Sequence, residues 1–302
     1  MDKLTCVSLG STSATIETFG SQLASLKVRD VEYLWQRDAK WWPKSAPILF
    51  PMVGSLRGDA AICAGGTCHM GRHGLARDYQ HEIVEQSESS VTLRLESSED
   101  TRAKYPYDFR LDLTFALEGT GEAGSTTLVN TFTVTNTGEV PMPFCLGGHP
   151  AFNVPLAEGE TFEDYKLEFS EPWSASTPVI AEGGLLSYEA LVTLFEDASE
   201  LALTHKLFEQ DAVVLEGVPG DTLTMVGPAG KGVRVDFAGF DHIGIWSAAA
   251  AADGSEAPFV ALEPWCGTAT RTDEDNVFEH KQNVITAAPG ETVVRSFSVT
   301  VL

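Results

Sequence analysis

No stretch of this 302-residue chain approaches the run of about 18 unbroken apolar residues that a membrane helix requires. The alanine-rich WSAAAAAD at 246–253 is far too short. The opening MDKLTCVSLGSTSATIETFG has neither a long apolar core nor a cleavage pattern, so no secretory leader is expected. Basic residues are scarce: 20 Lys and Arg stand against 43 Asp and Glu, a formal net charge of -23. Such a surface repels polyanions, which argues against nucleic acid and anionic membrane as partners. Cysteine is sparse and odd in number, at positions 6, 63, 68, 145 and 266. Free thiols in a reducing compartment fit that count better than a disulfide framework, and a cytoplasmic location is the expectation. Helical periodicity is rare too, and neither a nucleotide-binding glycine loop nor a GxSxG elbow is present.

What the chain does have is alternation. In FRLDLTFAL the apolar residues are Phe109, Leu111, Leu113, Phe115 and Leu117; SVTLRLE repeats the pattern through Val91, Leu93 and Leu95. LVNTFTVTNTG, GVRVDFAGF and VVRSFSVTVL continue it, separated by turn-forming segments such as EGTGEAGS and GPAGKG. A period of two signals half-buried antiparallel strands. SEDTRAKYP at 98–106 carries a capping serine, helix formers and a terminating proline, which predicts one short helix. Composition does not change along the chain, so residues 1–302 are expected to form a single large all-β domain of sandwich type.

The chemistry-bearing residue types fall in irregular segments. CAGGTCHMGRH gathers Cys63, Cys68, His69 and His73 into eleven positions, too tightly for the paired spacing of a structural zinc site, so no metal is expected. CLGGHPAFNVP places His149 between two glycines and a proline, which predicts a loop at a strand end. In FVALEPWCG, Glu263 shares a strand face with Phe259, Ala261 and Trp265, while Val260 and Leu262 make the other face apolar as well. A carboxylate in such a strand is partnered or functional, because burying it alone is costly, and its pKa is expected to rise. Phe152, Asn153, Trp246 and Trp265 flank these groups and offer the flat apolar faces and polar contacts that a pyranose needs.

PILFPMVGSLRGD at 47–59, RHGLARD at 72–78, GGHPAFNVPL at 147–156 and ALEPWCG at 261–267, in this order, resemble the aldose 1-epimerase (galactose mutarotase) family. The resemblance runs from about residue 16 to the C-terminus. It implies a large antiparallel β-supersandwich, interconversion of the α and β anomers of a free hexose, and no cofactor. It further implies that His149 is the general acid at the ring oxygen and Glu263 the general base at the C1 hydroxyl. His73 would orient the sugar and Asp211, in FEQDAVVL, would bind its hydroxyls. Family members often carry an arginine after the glycine of the first motif; Ser55 stands there, and Arg57 is the candidate to replace it. The expected partner is a small monosaccharide, bound by a monomer or homodimer.

Between residues 44 and 81 the bases Lys44, Arg57, Arg72 and Arg77 outnumber Asp59 and Asp78. If His73 and Arg77 lie on one extended segment, their even spacing turns them the same way. Two arginines converging on the pocket would favour a hexose 6-phosphate. The expectation is nevertheless a neutral hexose, with the phosphorylated sugar, or a non-catalytic sugar-binding role, as the alternatives.

Overall fold

The computed structural model describes residues 3–302. Nine strands form the largest sheet, in the spatial order Leu185–Ala202, Lys166–Ala181, Thr222–Val226, Gly232–Asp236, Thr292–Val301, Thr126–Asn136, Phe109–Gly119, Ser90–Glu96 and Glu82–Gln86. Every neighbouring pair in it is antiparallel. The alternating segments therefore lie where their period puts them, and Leu113 faces Leu93 on one side and Phe132 on the other. These side chains are buried, while the intervening threonines keep partial contact with solvent.

A second sheet runs Val213–Glu216, His242–Trp246, Phe259–Cys266, Leu146–Gly148 and Ile48–Leu49, with Ala151–Asn153 also paired to Phe259–Cys266. Its Val260 and Leu262 share one continuous core with Leu111, Phe132 and Val299 of the large sheet. The two sheets thus form the sandwich that alternation predicts. A four-stranded sheet, Leu4–Leu9, Thr12–Glu17, Leu23–Val28 and Val31–Glu32, adds to the same core through Val7, Ile16 and Leu26.

One α-helix occurs among the described residues, Glu99–Lys104. Ser98 caps it: its Oγ accepts from the Thr101 amide at 3.2 Å, and Thr101 Oγ1 accepts in return from the Ser98 amide at 2.7 Å. Among the described residues no helix is long and apolar enough to cross a membrane.

The Gly-Gly-His-Pro segment leaves His149 and Pro150 outside any strand at a strand end, as expected, but its two glycines lie within a strand. Leu146–Gly148 and Ala151–Asn153 are short strands, both paired to Phe259–Cys266, and His149 and Pro150 form the step between them. The glycines serve tertiary packing rather than a turn. A Cβ on Gly148 would lie 2.6 Å from the ring of Phe297 on the facing sheet. His149 thus stands buried at the end of Leu146–Gly148.

Candidate active site

Glu263 sits in the middle of Phe259–Cys266, a strand buried along its whole length. Its two faces do different things. Val260 and Leu262 pack into the main core, whereas Phe259 and Ala261 join a separate aromatic cluster with Trp35, Trp41, Trp42 and Trp246. Glu263 belongs to the second face and opens into a cleft of about 770 Å³, measured with its open mouth. Opposite it in register is Gly244, over which the Trp265 indole lies. A Cβ at position 244 would stand 2.3 Å from the indole Cζ2. Gly244→Ala is therefore expected to destabilise the fold by about 1–3 kcal/mol, the usual cost of overpacking, and to dislodge Trp265. Urea denaturation of this variant measures the cost; wild-type stability with unchanged indole fluorescence would contradict the close approach.

The step at His149 brings its Nε2 to 3.2 Å from Glu263 Oε1. The His149 amide donates to the Pro47 carbonyl at 3.1 Å, which fixes the backbone. Trp42 stacks on the imidazole at 4.8 Å and 25°, and Trp246 and His73 meet it edge-on, each at 5.6 Å. Trp265 Nε1 donates to the second carboxyl oxygen, Oε2, at 3.3 Å. Burial pushes Glu263 well above the usual carboxylate range, and the indole donor opposes this only in part. Burial likewise pushes His149 down to about 3, with Arg77, Lys44 and Arg72 adding to the effect. Both shifts favour a neutral carboxyl beside a neutral imidazole. That form differs from the ion pair only by moving one proton across the 3.2 Å contact.

His73 is held in the left-handed region at φ 70°, an uncommon conformation for a side chain of this size. Its amide donates to the Gly54 carbonyl at 2.8 Å, and the Gly54 amide donates to His73 Nδ1 at 3.1 Å. Nδ1 is thus an acceptor, which leaves the ring hydrogen on Nε2. Burial first, and then His149, Arg77, Arg72 and Lys44, keep this imidazole neutral. The result is a fixed, uncharged donor beside His149.

Asp211, Arg72 and Arg77 complete the polar lining of the cleft. Asp211 Oδ2 accepts from Arg72 Nη1 at 3.1 Å, and Arg72 Nε donates to Ser55 Oγ at 3.3 Å. Arg77 Nη2 donates to the Arg72 carbonyl at 2.7 Å, while its buried Nε has no hydrogen-bond partner and lies 4.0 Å from Asp78 Oδ2. Ala76–Asp78 is a single turn of 3₁₀-helix rather than an extended segment. His73 and Arg77 therefore reach the same cleft without the strand geometry that their spacing assumed.

Of the residues singled out from the sequence, His149, Glu263, His73, Asp211, Arg77, Trp246 and Trp265 line this cleft, and three do not. Arg57 turns away and donates through Nη2 to the carbonyls of Arg271, Thr272 and Glu274 at 2.9–3.2 Å. Phe152 lies fully in the main core, because the pleat sends it to the face opposite the cleft. Asn153 spends its amide on the carbonyls of Glu32 and Leu34 at 2.9 and 3.0 Å, tying two sheets together. Beside Ser55 the guanidinium present is that of Arg72, not Arg57. Trp42, Ile180 and Leu186 also line the cleft and were not anticipated. The paired tryptophans of KWWPKS, in a segment outside any strand, are a signal that would have pointed to the first of them. Among the described residues, no three His, Cys, Asp or Glu side chains converge as metal ligands.

The chain matches the family model of aldose 1-epimerase over residues 3–291. It is 39% identical over 295 residues to the chromosomal and plasmid forms of Protein LacX from Lactococcus lactis subsp. lactis, covering 95% of each chain. Among solved structures it is similar to a galactose mutarotase related enzyme from Lactobacillus acidophilus, with a TM-score of 0.89 and 29% identity over 100% of this chain and 97% of that one. A galactose mutarotase-like protein from Lactobacillus casei ATCC 334 gives a TM-score of 0.88 and 28% identity, over 99% and 100% of the two chains. A sandwich whose cleft holds the paired histidine and glutamate, matched by that model along nearly its whole length, belongs to the aldose 1-epimerase family.

Proposed function

We propose that this chain is a catalytically active aldose 1-epimerase that interconverts the anomers of a free hexose. The observation that carries the reading is the buried 3.2 Å contact between His149 and Glu263 on the floor of an aromatic-walled cleft. Opening a cyclic hemiacetal requires a proton to leave the C1 hydroxyl and another to reach the ring oxygen. Both oxygens are bonded to C1, so an acid and a base already in contact with each other can address one oxygen apiece. From the ion-pair form, reached when the shared proton crosses from Glu263 to His149, Glu263 takes the hydroxyl proton as the carbonyl forms, His149 delivers a proton to the ring oxygen, and the C1–ring oxygen bond breaks. Rotation about C1–C2 presents the other carbonyl face, and reversal of both transfers closes the ring and restores the pair. His73 donates toward the ring oxygen, Asp211 and Arg72 hold hydroxyls, and Trp42, Trp246 and Trp265 supply the apolar walls. The two proton transfers require no metal or organic cofactor. Polarimetric or NMR-exchange mutarotation of glucose and galactose tests the reading; sugar binding without any rate enhancement would make the chain a non-catalytic sugar-binding member.

One observation favours a second reading, a hexose 6-phosphate as substrate. Arg72 and Arg77 line the cleft of a chain whose net charge is -23, and both act on His73 together with Lys44. Against it, Arg72 is already paired with Asp211, and one Arg77 nitrogen is used by a backbone carbonyl. A neutral sugar is therefore the expected substrate. Arg77→Ala should alter turnover of free and 6-phosphorylated hexoses by similar factors. A phosphorylated hexose preferred by the wild type, with that preference reduced about tenfold or more in Arg77→Ala, would select the second reading.

A further inference from the structure

Between Gly54 and His73, whose paired hydrogen bonds pin the base of the segment, the chain runs out into the hairpin Ala60–Cys63 and Gly66–His69. Cys63 ends the first strand opposite Gly66, and Cys68 stands opposite Ala61, so both side chains project from the same face. Their sulfurs are 3.3 Å apart. Closing to a disulfide bond of about 2.05 Å requires a movement of only about 1.2 Å. The residues that must yield are the exposed Ala64 and Gly65 at the tip, with Gly66 beside them at φ 134°. Cys63 is 6% exposed and sits next to that tip, whereas Cys68 is fully enclosed. An attacking sulfur near solvent with a second sulfur directly behind it is the arrangement a two-step thiol oxidation uses.

The surroundings separate the two thiols further. The hydrogen bond with Cys68, with a smaller contribution from the Tyr107 hydroxyl, pulls Cys63 down to about 7 against burial and the nearby Glu279 carboxylate, while the same contact, burial and Glu279 push Cys68 up. None of the three remaining cysteines has a second sulfur in hydrogen-bond contact: Cys6 is exposed, and burial raises both Cys145 and Cys266. The mutarotase chemistry uses none of these thiols.

We propose that Cys63 and Cys68 form a dithiol modification site, taking a hydroperoxide as oxidant and a trivalent arsenical as a bidentate ligand. The Cys63 thiolate attacks one peroxide oxygen, the O–O bond breaks, and Cys63 becomes a sulfenic acid as hydroxide leaves and takes up the thiol proton as water. Cys68 then attacks the Cys63 sulfur, the S–O bond breaks, and a second water departs with the Cys68 proton. The dithiol loses two electrons and the peroxide gains them.

The test is treatment of the folded, reduced protein with about one equivalent of hydrogen peroxide, followed by differential alkylation and peptide mapping. The Cys63–Cys68 disulfide should form first, with Cys6 still open to alkylation. In Cys68→Ser, a sulfenic acid should accumulate at Cys63 and be trapped by dimedone; in Cys63→Ser, oxidation at position 68 should be at least about tenfold slower. Phenylarsine oxide should bind one per chain in the wild type and be lost from either variant. Oxidation of Cys6 while Cys63 and Cys68 stay reduced in the folded wild type, a measurement that needs no variant, would overturn the proposal. So would a disulfide that forms only in urea.

Discussion

Glu263→Gln and His149→Asn should each lower mutarotation turnover at least about a hundredfold, the ordinary cost of removing a general base or acid. Glutamine keeps the size of the side chain, and its carbonyl oxygen still accepts from Trp265 Nε1, which lies 3.3 Å from the carboxyl. What it loses is the capacity to take the hydroxyl proton. Asparagine at 149 likewise leaves a polar group on the cleft floor but cannot shuttle a proton to the ring oxygen. In both variants the loss belongs in kcat more than in KM, because the groups proposed to hold the sugar, His73, Asp211, Arg72 and the indoles that line the cleft, are left in place. The double variant should lose little more than the worse single one, since the two groups act as one proton-transfer unit across 3.2 Å. Thermal melts verify that each variant is folded. Near wild-type kcat in either folded variant would remove the acid–base assignment.

The sequence made different parts of this molecule visible for different physical reasons. Alternation exposed the strands of the large sheet, because one face of each is buried and the other partly wet, and burial on one face is what a period of two records. Glu263 was legible because it interrupts a strand with no solvated face, and a carboxylate there needs a purpose. The glycines before His149 were misread because a local rule was applied to a distant cause. Gly148 makes room for Phe297, 149 positions later, and nothing in the surrounding segment announces that ring. Phe152 and Asn153 were grouped with His149 by proximity in sequence, but the pleat turns Phe152 into the core and Asn153 toward another sheet's carbonyls. Trp42 stacks on His149 from a different part of the chain, and Arg72 reaches Ser55 across a turn. Such contacts are properties of topology, which periodicity does not encode.

Acidification should weaken the fold well above the range where its carboxylates are protonated. His81 and His242 are 1% and 2% exposed, and burial holds each near a pKa of about 4, against the Ala76 carbonyl in the first case and Asp241 in the second. In the unfolded chain both return to about 6.5. Below pH 6.5 the unfolded state therefore binds protons that the native state refuses, so the free energy of unfolding falls as pH falls and recovers as pH rises. The window runs from the unfolded value down to the folded one, and between pH 7 and 5 each of these histidines should cost about 2 kcal/mol. His73, lowered for the same reason, acts in the same direction. His149 does too, but its partner Glu263 has a raised pKa and takes up a proton natively where the unfolded chain does not, which offsets that contribution. The lowered carboxylates, Asp100, Asp164, Asp253, Asp273 and Asp275, lose their effect only below the ordinary carboxylate pKa, outside this window. Urea denaturation at pH 7 and pH 5 should thus show a drop of up to about 4 kcal/mol from His81 and His242, reduced by the exposed His280, whose pKa Asp275 raises and which gains a proton natively in the same window. His242→Gln should be less stable at pH 7 yet show a shallower pH slope, because a group that cannot take up a proton cannot contribute one to unfolding. A stability that is flat or rising from pH 7 to 5 would mean that these imidazoles are not buried in their neutral form.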